Sequence, residues 1–217
     1  MLAPILLAWT LLAQTPPAGA AGGPPPAPDT LAIGGWHLPR NLSVLAELKA
    51  SNEQARALEA LIPVVSARYK AAMDGVFALP PEQVGPRARA LTLGADAELR
   101  GVLNQVLRPE QVARYDQLVL RAAGFRAFSA IRVRAALKLT NEQEAKLVKI
   151  AKELDAAWDG VEESKGSSDA AHARLAELNR RAVDEFQPLM SPEQKAAWQG
   201  LVGEAFELEE DPVAEPR

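Results

Sequence analysis

From residue 41 onward, large apolar side chains recur every three or four positions, and no run alternates with the two-residue period of a strand. Ala, Leu, Glu, Gln, Lys and Arg fill the intervals between breakers, a helix-forming mixture. The pattern predicts a long helix over Asn52–Val76, with the stripe Leu58, Leu61, Ile62, Val65, Tyr69, Ala72 and Val76 and a kink at Pro63. Leu79-Pro80-Pro81 and Gly85-Pro86 mark a turn. A return helix carries Leu91, Ala95, Leu99, Val102, Leu103 and Val106, and a third helix after Pro109 carries Val112, Tyr115, Leu118, Val119 and Ala122. A second series follows the same plan. Leu147, Ile150, Leu154, Trp158 and Val161 share one face, Lys165–Asp169 breaks it, Leu175, Leu178, Ala182, Phe186 and Leu189 return, and Trp198, Leu201, Val202 and Phe206 close. Short lead-in helices precede each series, with Leu42, Leu45 and Leu48 in the first and Ile131, Ala135 and Leu137 in the second. Gly124 to Phe128 reads as a joint between them.

The two series are one pattern written twice. Leu48-Lys49-Ala50-Ser51-Asn52-Glu53-Gln54 returns 89 positions later as Leu137-Lys138-Leu139-Thr140-Asn141-Glu142-Gln143. Arg108-Pro109-Glu110-Gln111 returns 83 positions later as Ser191-Pro192-Glu193-Gln194. The expected fold is therefore all-α, in two tandem units, each a short lead-in helix, a long antiparallel helix pair and a closing helix. Each repeated mark is a helix start. Ser51 with Gln54, Thr140 with Gln143 and Ser191 with Gln194 have capping-box spacing, in which the hydroxyl and the Gln side chain each satisfy the other residue's backbone N–H. Arg108 has no hydroxyl, so the Gln111 mark is the weakest cap, by about 1 kcal/mol.

Residues before this body have another character. Leu2–Ala13 is apolar and uncharged, too short to span a bilayer, and fits the core of a signal peptide over residues 1–20. A Pro/Ala/Gly-rich spacer follows over 21–40. The expected units then cover 41–128 and 129–206, and an acidic disordered tail covers 207–217. The expected location is periplasmic or secreted. Net charge is −4, which argues against bulk attraction to nucleic acid.

Candidate chemistry is sparse. The chain has no cysteine, which excludes disulfides, thiolate metal sites, a cysteine nucleophile and a lipid-modified cysteine. His37 lies in a Gly-Trp-His-Leu-Pro segment, and His172 with Asp169 supplies only two ligands, so no metal and no cofactor are expected. The adjacent acidic pairs Glu162-Glu163 and Asp184-Glu185 point away from each other on a helix and suit no acid/base work. With no G-x-S-x-G motif and no phosphate loop, no catalytic residues are named and the protein is expected not to be an enzyme. Tyr69, Tyr115, Trp158 and Trp198 occupy matching positions of the repeat. They are core rings in one reading; in the other, with Arg68 and Arg114 nearby, they line a groove for unfolded chains.

Leu139-Thr140-x-x-Gln143, and its variant Met190-Ser191-x-x-Gln194, resemble the motif of the LTxxQ periplasmic family, the Spy/CpxP-like group. The resemblance extends over most of residues 41 to 206. The marks at Ala50-Ser51 and Leu107-Arg108 depart from the Leu-Thr form. It implies an exported, all-helical, ATP-independent chaperone (a holdase) or an envelope-stress regulator, and a cradle formed by dimerisation. With two units in one chain, a pseudo-dimer within the chain is expected. Expected partners are unfolded or partly folded proteins, or a single envelope protein; the alternatives are a regulatory module docked on one membrane or periplasmic partner, and a structural spacer.

Overall fold

A computed structural model describes residues 38–76, 78–163 and 168–208. Among these residues all regular structure is helical. The α-helices are α1 (Leu42–Glu47), α2 (Asn52–Val76), α3 (Pro81–Val106), α4 (Pro109–Ala123), α5 (Ile131–Leu137), α6 (Asn141–Glu163), α7 (Ser168–Phe186) and α8 (Pro192–Val202). Three 3-10 turns join them, at Leu38–Arg40, Gly124–Ser129 and Gln187–Leu189. The expected signal peptide and most of the spacer lie outside the described residues, as do His37 and residues 209–217 of the expected tail.

Packing divides the described chain into two compact units. The first holds residues 38–122 with 202–208, and the second holds 123–201. The segment after α8 thus belongs with the first unit. Arg121 donates to the Gly203 carbonyl (2.8 Å) and Arg114 to that of Glu204 (3.3 Å). Phe206 and Leu208 join Leu38, Val44 and Leu118 around a cavity of about 120 Å³.

Within the first unit α2 and α3 run antiparallel, since the start of α2 meets the end of α3 (Gln54 to Val106) while Arg68 meets Glu98 further along. Leu58, Ile62 and Leu103 are fully buried between them. The buried stripe of α2 is narrower than the sequence pattern suggests: Leu61 and Ala72 are exposed and Tyr69 is only half-buried. The helix continues through Pro63. The turn before α3 is also tighter than expected. It ends at Pro80, Pro81 takes the first helical position where no N–H is needed, and Gly85 and Pro86 lie inside the helix.

In the second unit α6 and α7 pair in the same sense, with Gln143 at the Leu189 carbonyl and Lys146 on Glu185 (2.5 Å). Leu147, Ile150, Leu154, Ala182 and Phe186 are buried as expected, whereas Leu189 is exposed. The turn between α6 and α7 and the Trp158 and Val161 side chains lie outside the described residues. Gly124 to Phe128, expected as a joint, falls in the 3-10 turn Gly124–Ser129 at the centre of this core. Phe125 and Phe128 are fully buried and meet Phe186 at ring distances of 6.1 and 4.9 Å, and Trp198 lies 4.5 Å from Phe128. In α5 it is Val133 and Leu137 that turn inward; Ile131 and Ala135 face water.

Candidate functional site

Gln54, Gln111, Gln143 and Gln194 all stand in the first turn of a helix, and each completes a cap. The Ser51 N–H donates to Gln54 Oε1 (2.9 Å) while the Gln54 N–H donates to Ser51 Oγ (3.2 Å). Thr140 with Gln143 and Ser191 with Gln194 repeat the reciprocal pair. At Arg108 only half survives, with the Arg108 N–H donating to Gln111 Oε1 (2.9 Å). That matches the missing hydroxyl.

The other half of each amide reaches across the unit. Gln54 Nε2 donates to Gln111 Oε1 (2.9 Å) and to the Val106 carbonyl at the end of α3 (2.9 Å). Gln111 Nε2 donates to the Leu48 carbonyl at the end of α1 (2.9 Å). In the second unit, Gln143 Nε2 donates to Gln194 Oε1 (2.8 Å) and to the Leu189 carbonyl (2.7 Å). Gln194 Nε2 donates to Gln143 Oε1 (2.9 Å) and to the Leu137 carbonyl (3.1 Å). Two helix starts and two helix ends are thereby fastened by one pair of amides, which satisfies an orphan donor or acceptor at each of the four termini. Gln111 is buried in doing so. The capping half was readable from spacing. The crossing half was not, because it depends on which helix end returns to the site.

Both carbonyls reached from the far side, those of Leu48 and Leu137, precede a lysine in the left-handed region, Lys49 and Lys138, each at φ 49°. An unfavourable backbone state for a residue with a Cβ is held at equivalent points in both units.

The aromatic and arginine candidates do not gather into one surface. Tyr115 is 3% exposed, and this corrects its reading as a client-binding ring: it is a core side chain of α4. Tyr69 is half-buried and hydrogen-bonded to Glu98; burial is the main cause that raises its phenol above the ordinary value, with Glu98 adding to it. Arg68 is exposed and paired with the same Glu98 (2.7 Å). Arg114 is engaged by Glu47 (2.6 Å), Gln117 and Glu204 and serves the fold. Trp198 is half-buried against Phe128. No group of three or more His, Asp or Glu side chains among the described residues is placed to hold a metal ion. No helix among them is long and apolar enough to cross a membrane.

One ionisable cluster escaped sequence reading. Asp96 on α3 is 9% exposed, and its Oδ2 is buried without a hydrogen-bond partner among the described residues. Burial pushes its carboxyl up to about 7, against the pull of Arg100 one turn away. Arg100 itself pairs with Asp116 on α4 (2.6 Å). Burial also raises the neighbouring Tyr115 phenol far above its ordinary value. No family model matches the chain, and no similar protein was found among curated proteins or solved structures.

Proposed function

We propose that this chain is an exported, non-enzymatic protein of two tandem helical modules that holds unfolded polypeptides without ATP in the periplasm or outside the cell. It would need no cofactor. The observation that carries the reading is a pair of large apolar side chains left in water at the same point of each module. Leu42 is 68% exposed and Ile131 is 61% exposed, and each opens the lead-in helix of its module. A single exposed leucine is ordinary, but a duplicated position that keeps a large apolar side chain in water twice suits a surface that meets other chains. Leu61 and Val64, three residues apart on the outer side of α2, add a second apolar strip. The amide clasps at Gln54/Gln111 and Gln143/Gln194 support the kinship with LTxxQ proteins, since they give those glutamines a shared structural task.

The test is suppression of aggregation of several unrelated denatured proteins, without nucleotide, at near-stoichiometric ratios. Leu42→Asp with Ile131→Asp should raise the ratio required severalfold and leave helical circular dichroism unchanged. Protection of none, with recovery of one envelope partner, would assign the protein to envelope-stress regulation instead. Neither activity would leave a structural spacer.

A further inference from the structure

We propose that Asp96, Arg100, Tyr115 and Asp116 form a proton-operated catch between α3 and α4 of the first unit, closed when Asp96 is neutral and loosened when it is ionised. The cluster contains one cation and two carboxylates. Arg100 is committed across the helix pair to Asp116, and both of those side chains are about one-quarter exposed. Asp96 lies deeper, with one oxygen buried and unpartnered. The groups facing it are Arg100 from its own helix and Tyr115 from α4, and Asp116 joins the cluster through Arg100 and Tyr115. Glu98, two residues on, is taken up by Arg68 and Tyr69 of α2 and does not compete for Arg100.

With Asp96 protonated, the Arg100–Asp116 pair is balanced and α3 is fastened to α4. Ionisation leaves a second negative charge beside a cation already engaged, in a place with almost no water. Two adjustments relieve it. Arg100 turns to Asp96 and releases Asp116, whose side chain is about one-quarter exposed, or α3 lifts to hydrate Asp96. Both weaken the α3–α4 contact.

The second unit shows the same place without the charges. The 83-residue offset carries Asp96, Arg100, Tyr115 and Asp116 onto Asn179, Val183, Trp198 and Gln199, none of which ionises. Asn179 there is paired through both ends of its amide: Oδ1 accepts from the Phe125 N–H (3.0 Å), and Nδ2 donates to the Ala123 carbonyl (3.3 Å). A proton-sensitive site in one unit therefore has a proton-insensitive counterpart in the other, which serves as an internal control.

Hydrogen exchange followed by mass spectrometry on the full chain tests this, with rates corrected for the intrinsic pH dependence of exchange. Between pH 6 and pH 8, peptides from α3 and α4 should lose protection by about tenfold, the scale of one pH-linked unit, while those from α6 and α7 keep theirs. Asp96→Asn should abolish the loss. Asp116→Asn, which frees Arg100 for Asp96, should shift the loss to a different pH or remove it, and keeps the test available if Asp96→Asn does not fold. Carbon NMR of the Asp96 carboxyl in the intact protein should show titration near neutrality. Equal α3–α4 protection at both pH values, an unchanged loss in the variants, or titration in the ordinary carboxylate range would each overturn the proposal.

Discussion

A single side-chain amide at Gln111 serves four groups: the Arg108 N–H, the Leu48 and Lys49 carbonyls and the Gln54 amide. Its oxygen accepts from the Arg108 N–H, and its nitrogen donates to the Leu48 carbonyl and faces Gln54. Truncation removes one partner from each; the bond to the Leu48 carbonyl is buried and the others are part-buried. Gln111→Ala should therefore cost about 2–4 kcal/mol in urea unfolding, well beyond the ~1 kcal/mol expected for Ser51→Ala, which removes only a cap. Equal costs would show that the crossing bonds contribute nothing net. Lys138 makes the opposite case. Its left-handed backbone is unfavourable for any residue with a Cβ, so Lys138→Gly should raise stability by about 0.5–1 kcal/mol by the same measurement. The glutamines were legible as capping residues because a cap is local, set by three residues of spacing. Their embrace of one another was not, nor was the strain at Lys49 and Lys138, because both follow from where a distant helix end arrives.

Among the elements, helix starts were the most legible. α2 begins at Asn52, α6 at Asn141 and α8 at Pro192, directly after their hydroxyl caps, and α4 begins at Pro109. Interior breakers were less so: Gly85-Pro86 is carried within α3, where packing against α2 outweighs local propensity. The segment Gly124–Ser129 shows the same limit from the other side. Its short apolar run has no periodicity to reveal it, yet it supplies the second unit's central rings. Gly124 permits this with φ +55°, and a Cβ there would lie 2.4 Å from Asn179 Nδ2, the amide that pins the turn. Gly124→Ala should cost about 2 kcal/mol or more, through backbone strain and loss of the Asn179 bonds together. A normal unfolding midpoint would mean the turn can re-form elsewhere. Phe128→Ala, which removes a ring in contact with Phe125, Phe186 and Trp198, should cost about 3–5 kcal/mol.

For the whole molecule, Asp96 sets the clearest pH dependence. Its folded carboxyl is held at about 7 by burial, whereas an unfolded one titrates at about 3.9. The folded state therefore keeps a proton that the unfolded state has lost, and this contribution to stability is fully present below about pH 4 and gone above about pH 7. Unfolding free energy should fall as pH rises through that window. Asp96→Asn should flatten the fall and leave the protein about 2 kcal/mol more stable than wild type at pH 8, with little difference at pH 4. Matching pH profiles for the two proteins would contradict this. The sequence by itself determined the all-helical class, the helix starts and most of the buried rows of α2, α4, α6 and α7, because propensity, capping and helical periodicity act within a few residues. Tertiary structure alone decided that residues 202–208 return to the first unit, that Gly124–Ser129 is a core turn, and that Asp96 is an acid buried beside a cation already taken. Those outcomes depend on which surfaces meet, and burial and charge pairing are properties of the meeting, not of the residue.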